Sequence, residues 1–235
     1  LNDLTIGGVY VQDVEQIGRP FLNHRAQPVT ALAASKCRSI LIASFDSARI
    51  VDQTKHLFPA NTPWYSFDGL RLPDAMLSDK QRYLSTLNFA TNLAFFRDAD
   101  GQHTRIVTAN YWATYGGKEV SAWCNLFDSA GKTIATWTQP LPGANATVVI
   151  DSAEVRTRFN LPEFTGQLYI HIIGAAGHDI VKYALDTYGD DDSVLSCTHD
   201  ANSWPSDIYA GLPAPAADED VVLWVQNSHP GTIPA

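Results

Sequence analysis

Long apolar runs are missing from this sequence: no stretch approaches the roughly 18 residues an α-helix needs to cross a bilayer, and "AGLPAPAADED" (210–220), a short Ala-Pro linker pattern ending in three acids, is no membrane-inserted segment. Positive charge is scarce as well, with 16 Lys and Arg against 25 Asp and Glu and a net charge of −9. Nucleic-acid phosphates are held by clustered Lys and Arg, and no such run occurs, so a nucleic-acid partner is not expected. Cysteine is also sparse. Cys37, Cys124 and Cys197 are far apart and odd in number, which excludes a disulfide-built scaffold and allows at most one bridge. Each reads first as a small buried hydrophobe.

Hydrolase and nucleotide signatures are lacking too. The chain has no Gly-x-Ser-x-Gly elbow, no His-Glu-x-x-His pair and no Gly-x4-Gly-Lys phosphate loop. "TYGGKEV" (114–120) lacks the upstream glycine and reads as a turn. The chain starts at Leu1 without a basic-then-apolar signal pattern, the form of a processed product or of a trimmed chain, which leaves localisation open; low Lys with abundant Asp and Thr fits an exported or cell-surface bacterial protein.

Helix formers are the last shortage, and the most informative one. Met occurs once, and Asp outnumbers Glu by 20 to 5. Glu and Met favour helix interiors whereas Asp favours turns and caps, so a mostly β chain with many turns follows. Hydrophobic residues at 45% over 235 positions are enough for a sizeable core. "NLAFFRDADGQHTRIVTANYW" and "SAWCNLFDSAGKTIATWTQPL" each flank Asp-x-x-Gly with apolar runs, the pattern of a hairpin with Gly at the positive-φ bulge position. "QLYIHIIGAAGHDIVKYALDTY" repeats it with Gly174 and Gly177. Further strands are expected at 5–13, 38–46, 146–151 and 220–227, a helix at 152–159 capped by Ser152, and a long insertion at 52–82 with a helical turn near 77–83. The expected fold is an all-β antiparallel sandwich of Ig-like or jelly-roll type. It spans 1–217 with a less regular N-terminal part (1–82), and 218–235 form a last strand or the start of a further domain.

Three-residue loops ending in Gly fix a register. Trp123 is expected opposite Trp137, Phe95 opposite Arg105, Phe89 opposite Tyr111, and Tyr169 opposite Tyr183.

Two groups of residues could carry chemistry. Asp190, Asp191 and Asp192 crowd hard oxygen donors together, with His199 and Asp200 nearby, a set suited to calcium. "DADG" (98–101) resembles the start of a calcium loop but lacks the distant glutamate that would complete it. No cofactor is required by any motif, and calcium is the ion these carboxylates would take. Zinc needs paired ligand spacings; one Cys197 and one His199 do not supply them, so "SCTHDANSWPSDIY" (196–209) is expected to be a loop anchored by Trp204. The second group is aromatic. Trp64, Tyr65, Tyr111, Trp112, Tyr115, Trp204 and Tyr209 cluster with Asp and Asn at three loops, where ring faces suit sugar stacking. The expected function is a non-catalytic binding or structural module whose ligand is a carbohydrate or a partner protein. The alternative is a metal-dependent enzyme centred on His199 and Asp200.

Overall fold

The computed structural model describes residues 5–45, 47–191, 195–199 and 214–218. The chain packs as two compact units, Leu1–Pro73 and Asp74–Ala235. The first is built from short pieces. β1 (Tyr10–Val11) pairs in parallel with β4 (Gln27–Pro28), and β2 (Pro20–Phe21) pairs with β3 (His24–Arg25) across a two-residue turn. β5 (Ile40–Ile42) and β6 (Trp64–Ser66) are parallel neighbours, as a strand–helix–strand connection requires. The helix between them, α1 (Ser47–Thr54), starts where the Asp68 carboxylate accepts the Ser47 hydroxyl at 2.5 Å and its backbone N–H at 3.3 Å. Those bonds hold the Asp68 carboxyl below its usual range. The strands expected over 5–13 and 38–46 are thus only two and three residues long.

The second unit is all-β and antiparallel, as its alternation of apolar and polar residues requires. Its strands are β7 (Thr91–Ala99), β8 (Gln102–Ala109), β9 (Ser121–Asp128), β10 (Thr133–Pro140), β11 (Thr147–Asp151), β12 (Phe164–Ile173), β13 (Ala184–Gly189) and β14 (Leu195–His199). They run in the order β10-β9-β12-β7-β8-β13-β14, with β11 also on β8. β7 and β8 share only two residue pairs beside their turn, Asp98 with His103 and Ala99 with Gln102, and then part. Beyond that point β7 is held by β12, while β8 is held by β11 and β13. The network therefore has two four-stranded halves joined at one hairpin. Both halves supply one hydrophobic core, including Phe96, Leu126 and Leu168 from the first and Ile106 and Ile150 from the second. Gly166 sits where β12 meets β9 so closely that a side chain would collide with the Phe127 carbonyl.

The helix at 152–159 is present as α2 (Ser152–Phe159), but its cap is Asp151, whose carboxylate accepts the Ala153 N–H at 3.0 Å. Ser152 is buried inside the first turn and accepts the Thr104 N–H instead. Residues 77–83 themselves hold no helical turn; 3-10 turns flank them at Asp74–Met76 and Thr86–Phe89, and the loop between is pinned by Asn88, which accepts the Asp79 N–H and donates to the Asp79, Arg82 and Tyr83 carbonyls. Residues 195–199 form β14 and not a loop. The remainder of the Trp204 loop and the strand expected at 220–227 lie outside the described residues. No helix among the described residues is long and apolar enough to cross a membrane.

The expected registers are corrected at each hairpin. In the first, Asp100 and Gly101 both take positive φ, 53° and 67°, making a two-residue turn, and Phe95 and Arg105 lie in different halves. Phe89 belongs to a 3-10 turn, not a strand opposite Tyr111. In the second, the turn is as expected: Asp128 receives Ala130 and Lys132 N–H groups at 2.9 Å, and Gly131 has φ 77°. A β-bulge between Thr133 and Ala135 then shifts the ladder by one residue, so Trp123 faces Thr138 and Trp137 faces Cys124. The bulge reconciles the turn with the core, since Ile134, Ala135 and Trp137 all pack inward. The third hairpin does not form. Both edges of β12 are already taken by β7 and β9, so Tyr169 lies opposite Leu93 and Asn125 rather than Tyr183.

Candidate functional site

The outward face of the second half follows from strand parity. Thr104 and Ile106 are buried on β8, so His103, Arg105, Val107 and Ala109 point the other way. Directly opposed residues share a face, and four rows result: His103 with Tyr188; Arg105 with Asp151 and Asp186; Val107 with Val149 and Ala184; Ala109 with Thr147. β14 extends the middle rows with Cys197 beside Asp186 and His199 beside Ala184.

One end of this face is a charged clasp. Asp98, 1% exposed, accepts Arg156 Nη1 at 2.8 Å and faces His103 Nδ1 at 2.9 Å. The other His103 nitrogen meets Asp190 Oδ1 at 2.9 Å, and the Asp190 N–H donates to the Gly101 carbonyl at 3.1 Å. The Asp190 bond, opposed by burial and aided by Asp98, raises the His103 pKa above its ordinary value. The imidazole lies against the Tyr188 ring with centroids 5.0 Å apart, and the Arg105 guanidinium sits 4.6 Å from the same ring. Asp151 completes the group, accepting Arg105 Nε at 2.9 Å and Tyr188 Oη at 2.8 Å. Burial and the Asp151 carboxylate push the Tyr188 phenol up to about 12. With both ring nitrogens engaged, His103 fastens hairpin, helix and the end of β13 together; it is not poised as a base.

Among the described residues the other end is open. Val107, Ala109, Ala184, Lys182, Thr147 and His199 line a groove of about 520 Å³ that also reaches Tyr111. Tyr111 is fixed: its hydroxyl donates to the Ile180 carbonyl at 2.6 Å and accepts the Lys182 N–H at 3.0 Å. Its ring lies 4.0 Å from that of Trp112 and edge-on to His178.

The expected aromatic residues separate into distinct roles. Tyr111, Trp112 and Tyr115 do come together, around His178. Trp112, however, is fully buried, with Nε1 donating to the His178 carbonyl at 3.0 Å, so it is a core anchor and not a stacking surface. Tyr115 stays 58% exposed, and Trp64 and Tyr65 are exposed on β6 of the first unit. Trp204 and Tyr209 lie outside the described residues.

The expected ion ligands also part company. Asp190 is committed to His103 at one end of β13, while His199 sits beside Ala184 at the other, about 20 Å away at 3.3 Å per residue. Asp191 follows Asp190; Asp192 and Asp200 lie outside the described residues. Among the described residues, no three His, Cys, Asp or Glu side chains gather to hold an ion. The Asp98 carboxylate of "DADG" is taken by Arg156 and His103. All three cysteines are free, with Cys124 buried, Cys37 intermediate and Cys197 exposed.

Sequence reasoning missed His103, Arg105, Val107 and Lys182. The signal was in "QHTRIVTA", where inward Thr104 and Ile106 leave an outward row of mixed charge and aliphatic character. A scan against models of known protein families finds none that matches the chain, and a search of curated proteins finds no similar sequence.

Proposed function

We propose that the chain is a non-catalytic binding module whose ligand seats on the outward face of β11, β8, β13 and β14. What carries this reading is a sheet face exposing aliphatic side chains where solvent-facing positions are ordinarily polar. Val149 is 44% exposed and pairs with half-buried Val107, which pairs on its other side with half-buried Ala184; Val107 and Ala184 also line the groove. The clasp at one end and the doubly bonded Tyr111 at the other keep the face rigid, which lowers the entropy cost of binding. The composition fits an exported setting for such a module. Asp200, the second residue of the metal-enzyme alternative centred on His199 and Asp200, lies outside the described residues.

Screening the protein against glycan and peptide arrays tests the proposal. Binding is expected, and Val107→Lys is expected to abolish it while leaving the thermal midpoint in place. Binding that survives Val107→Lys would place the ligand elsewhere.

A further inference from the structure

The chemistry of the groove wall says which ligand class it suits, on the reading that this face binds. Hydroxyl-rich neutral sugars are recognised by carboxylate and amide acceptors together with an open aromatic face. Among the described residues the groove is lined by no Asp, Glu, Asn or Gln. Of its two tyrosines, Tyr111 has its ring against Trp112 and its hydroxyl both donating and accepting, and Tyr183 is buried with its hydroxyl donating to the Leu93 carbonyl. Among the described groove residues a sugar would meet the Thr108 and Thr147 hydroxyls and the His199 ring, but no carboxylate or amide.

The wall instead offers aliphatic surface and donors. Val107, Ala109 and Ala184 form the bed, and exposed Lys182 and Thr147 stand at its rim. Lys182 is held by its backbone on both sides, its N–H on the Tyr111 hydroxyl and its carbonyl on Thr108 Oγ1 at 2.6 Å. Among the described residues its ammonium makes no ion pair, in a chain of net charge −9 where acids outnumber bases. At physiological ionic strength charges beyond about 8 Å are largely screened, so the local wall decides the sign of the ligand. Among the described groove residues Lys182 supplies the charge, so the wall is positive and the ligand it suits is negative.

From this we infer that the face takes a protein segment that pairs a carboxylate with adjacent aliphatic side chains. The carboxylate meets the Lys182 ammonium, and the aliphatic groups cover Val107 and Ala184. Charge complementarity supplies selectivity, and burial of the aliphatic bed supplies the affinity.

Selection of random heptapeptides displayed on phage against the immobilised protein, in parallel with an array of neutral and uronate-containing glycans, tests the assignment. Enriched peptides are expected to carry Asp or Glu next to Val, Leu or Ile. Lys182→Glu is expected to weaken their binding roughly tenfold, and Lys182→Arg to retain it. Peptides without an acidic bias, or binding indifferent to Lys182→Glu, would overturn the inference. Glycan binding lost in Val107→Lys would overturn it too while leaving the binding face intact. Absence of any Val107-dependent ligand on either array would remove both.

Discussion

In the half formed by β10, β9, β12 and β7, inward side chains vanish from solvent: Phe96, Cys124, Leu126 and Leu168 are all 0% exposed. In the half formed by β11, β8, β13 and β14, every residue of β13 is half-buried and every described residue of β14 is exposed. Both halves use the same antiparallel pairing, so hydrogen bonding does not explain the contrast. The difference is where each half places its apolar side chains. The first half spends its apolar residues on the shared core, while the second divides them between the core and an open face. The outward aliphatic side chains add little to the stability of the free protein, and on the binding reading proposed above they are the surface a ligand would cover.

Truncation in the two halves gives the largest contrast. Phe96→Ala is expected to cost about 3–5 kcal/mol, since a buried aromatic leaves a cavity. Val149→Ala, on the outward face, should cost no more than about 1 kcal/mol. Urea midpoints compare them directly, and equal losses would show that the second half is as closed as the first.

The clasp should fall next. Asp98→Ala leaves the Arg156 and His103 donors without their buried acceptor, and a loss of about 1–3 kcal/mol is expected. Asp190 engages the same imidazole from an exposed side chain, 78% accessible, and Asp190→Ala should cost less than about 1 kcal/mol because solvent screens it. If Asp190→Ala proved the more damaging, the clasp would not rest on the buried Asp98 carboxylate.

How legible all this was in the sequence differs along the chain. The β class, the second hairpin turn and the helix at 152–159 could be read, because Asp-x-x-Gly and local capping patterns act within a few residues. The Trp123–Trp137 register could not, because the bulge at Ile134 answers to the inward packing of Trp137, a tertiary demand. The third hairpin failed for a similar reason: Gly174 and Gly177 look like turn residues, yet β12 is already paired on both edges. Aromatic counting found Tyr111, Trp112 and Tyr115 together but could not tell that Trp112 faces inward. Lys182 and Val107 carried no local signal, since only the pairing of β8 with β13 brings them to one face.

The two halves also hold histidines of opposite character. His171 on β12 is 1% exposed, its Nε2 bonded to the Met76 carbonyl, and burial lowers its pKa. A lowered histidine pKa means stability that is present above the unfolded value of about 6.5 and is lost as pH falls toward the folded one. His103 on β8 is raised by Asp190 and Asp98, so its contribution is complete below about 6.5 and is lost as pH rises through the folded value. His171→Gln should therefore flatten the acid limb of a stability–pH curve, and His103→Gln the limb just above neutrality. Denaturation from pH 5 to 9 reads both, and a His103→Gln curve parallel to wild type would show that the imidazolium clasp adds nothing.

The smallest effect separates two cysteines. Cys124, in the first half, is fully buried and its thiol is pushed up to about 12 by burial; it should not react with iodoacetamide until the protein unfolds. Cys197, on the outward face of the second half, is exposed, and its pKa is raised chiefly by a hydrogen bond to Asp186. The thiolate is the reacting species, so Asp186 slows a site that is otherwise open. In a Cys37→Ser background, native labelling should be confined to Cys197, and Asp186→Asn should quicken it roughly a few-fold near neutral pH. Quantitative mass spectrometry of the alkylated peptides resolves the two thiols. Labelling of native Cys124 at a comparable rate would mean that the first half opens as readily as the second, and the contrast between a closed half and an open one would not stand.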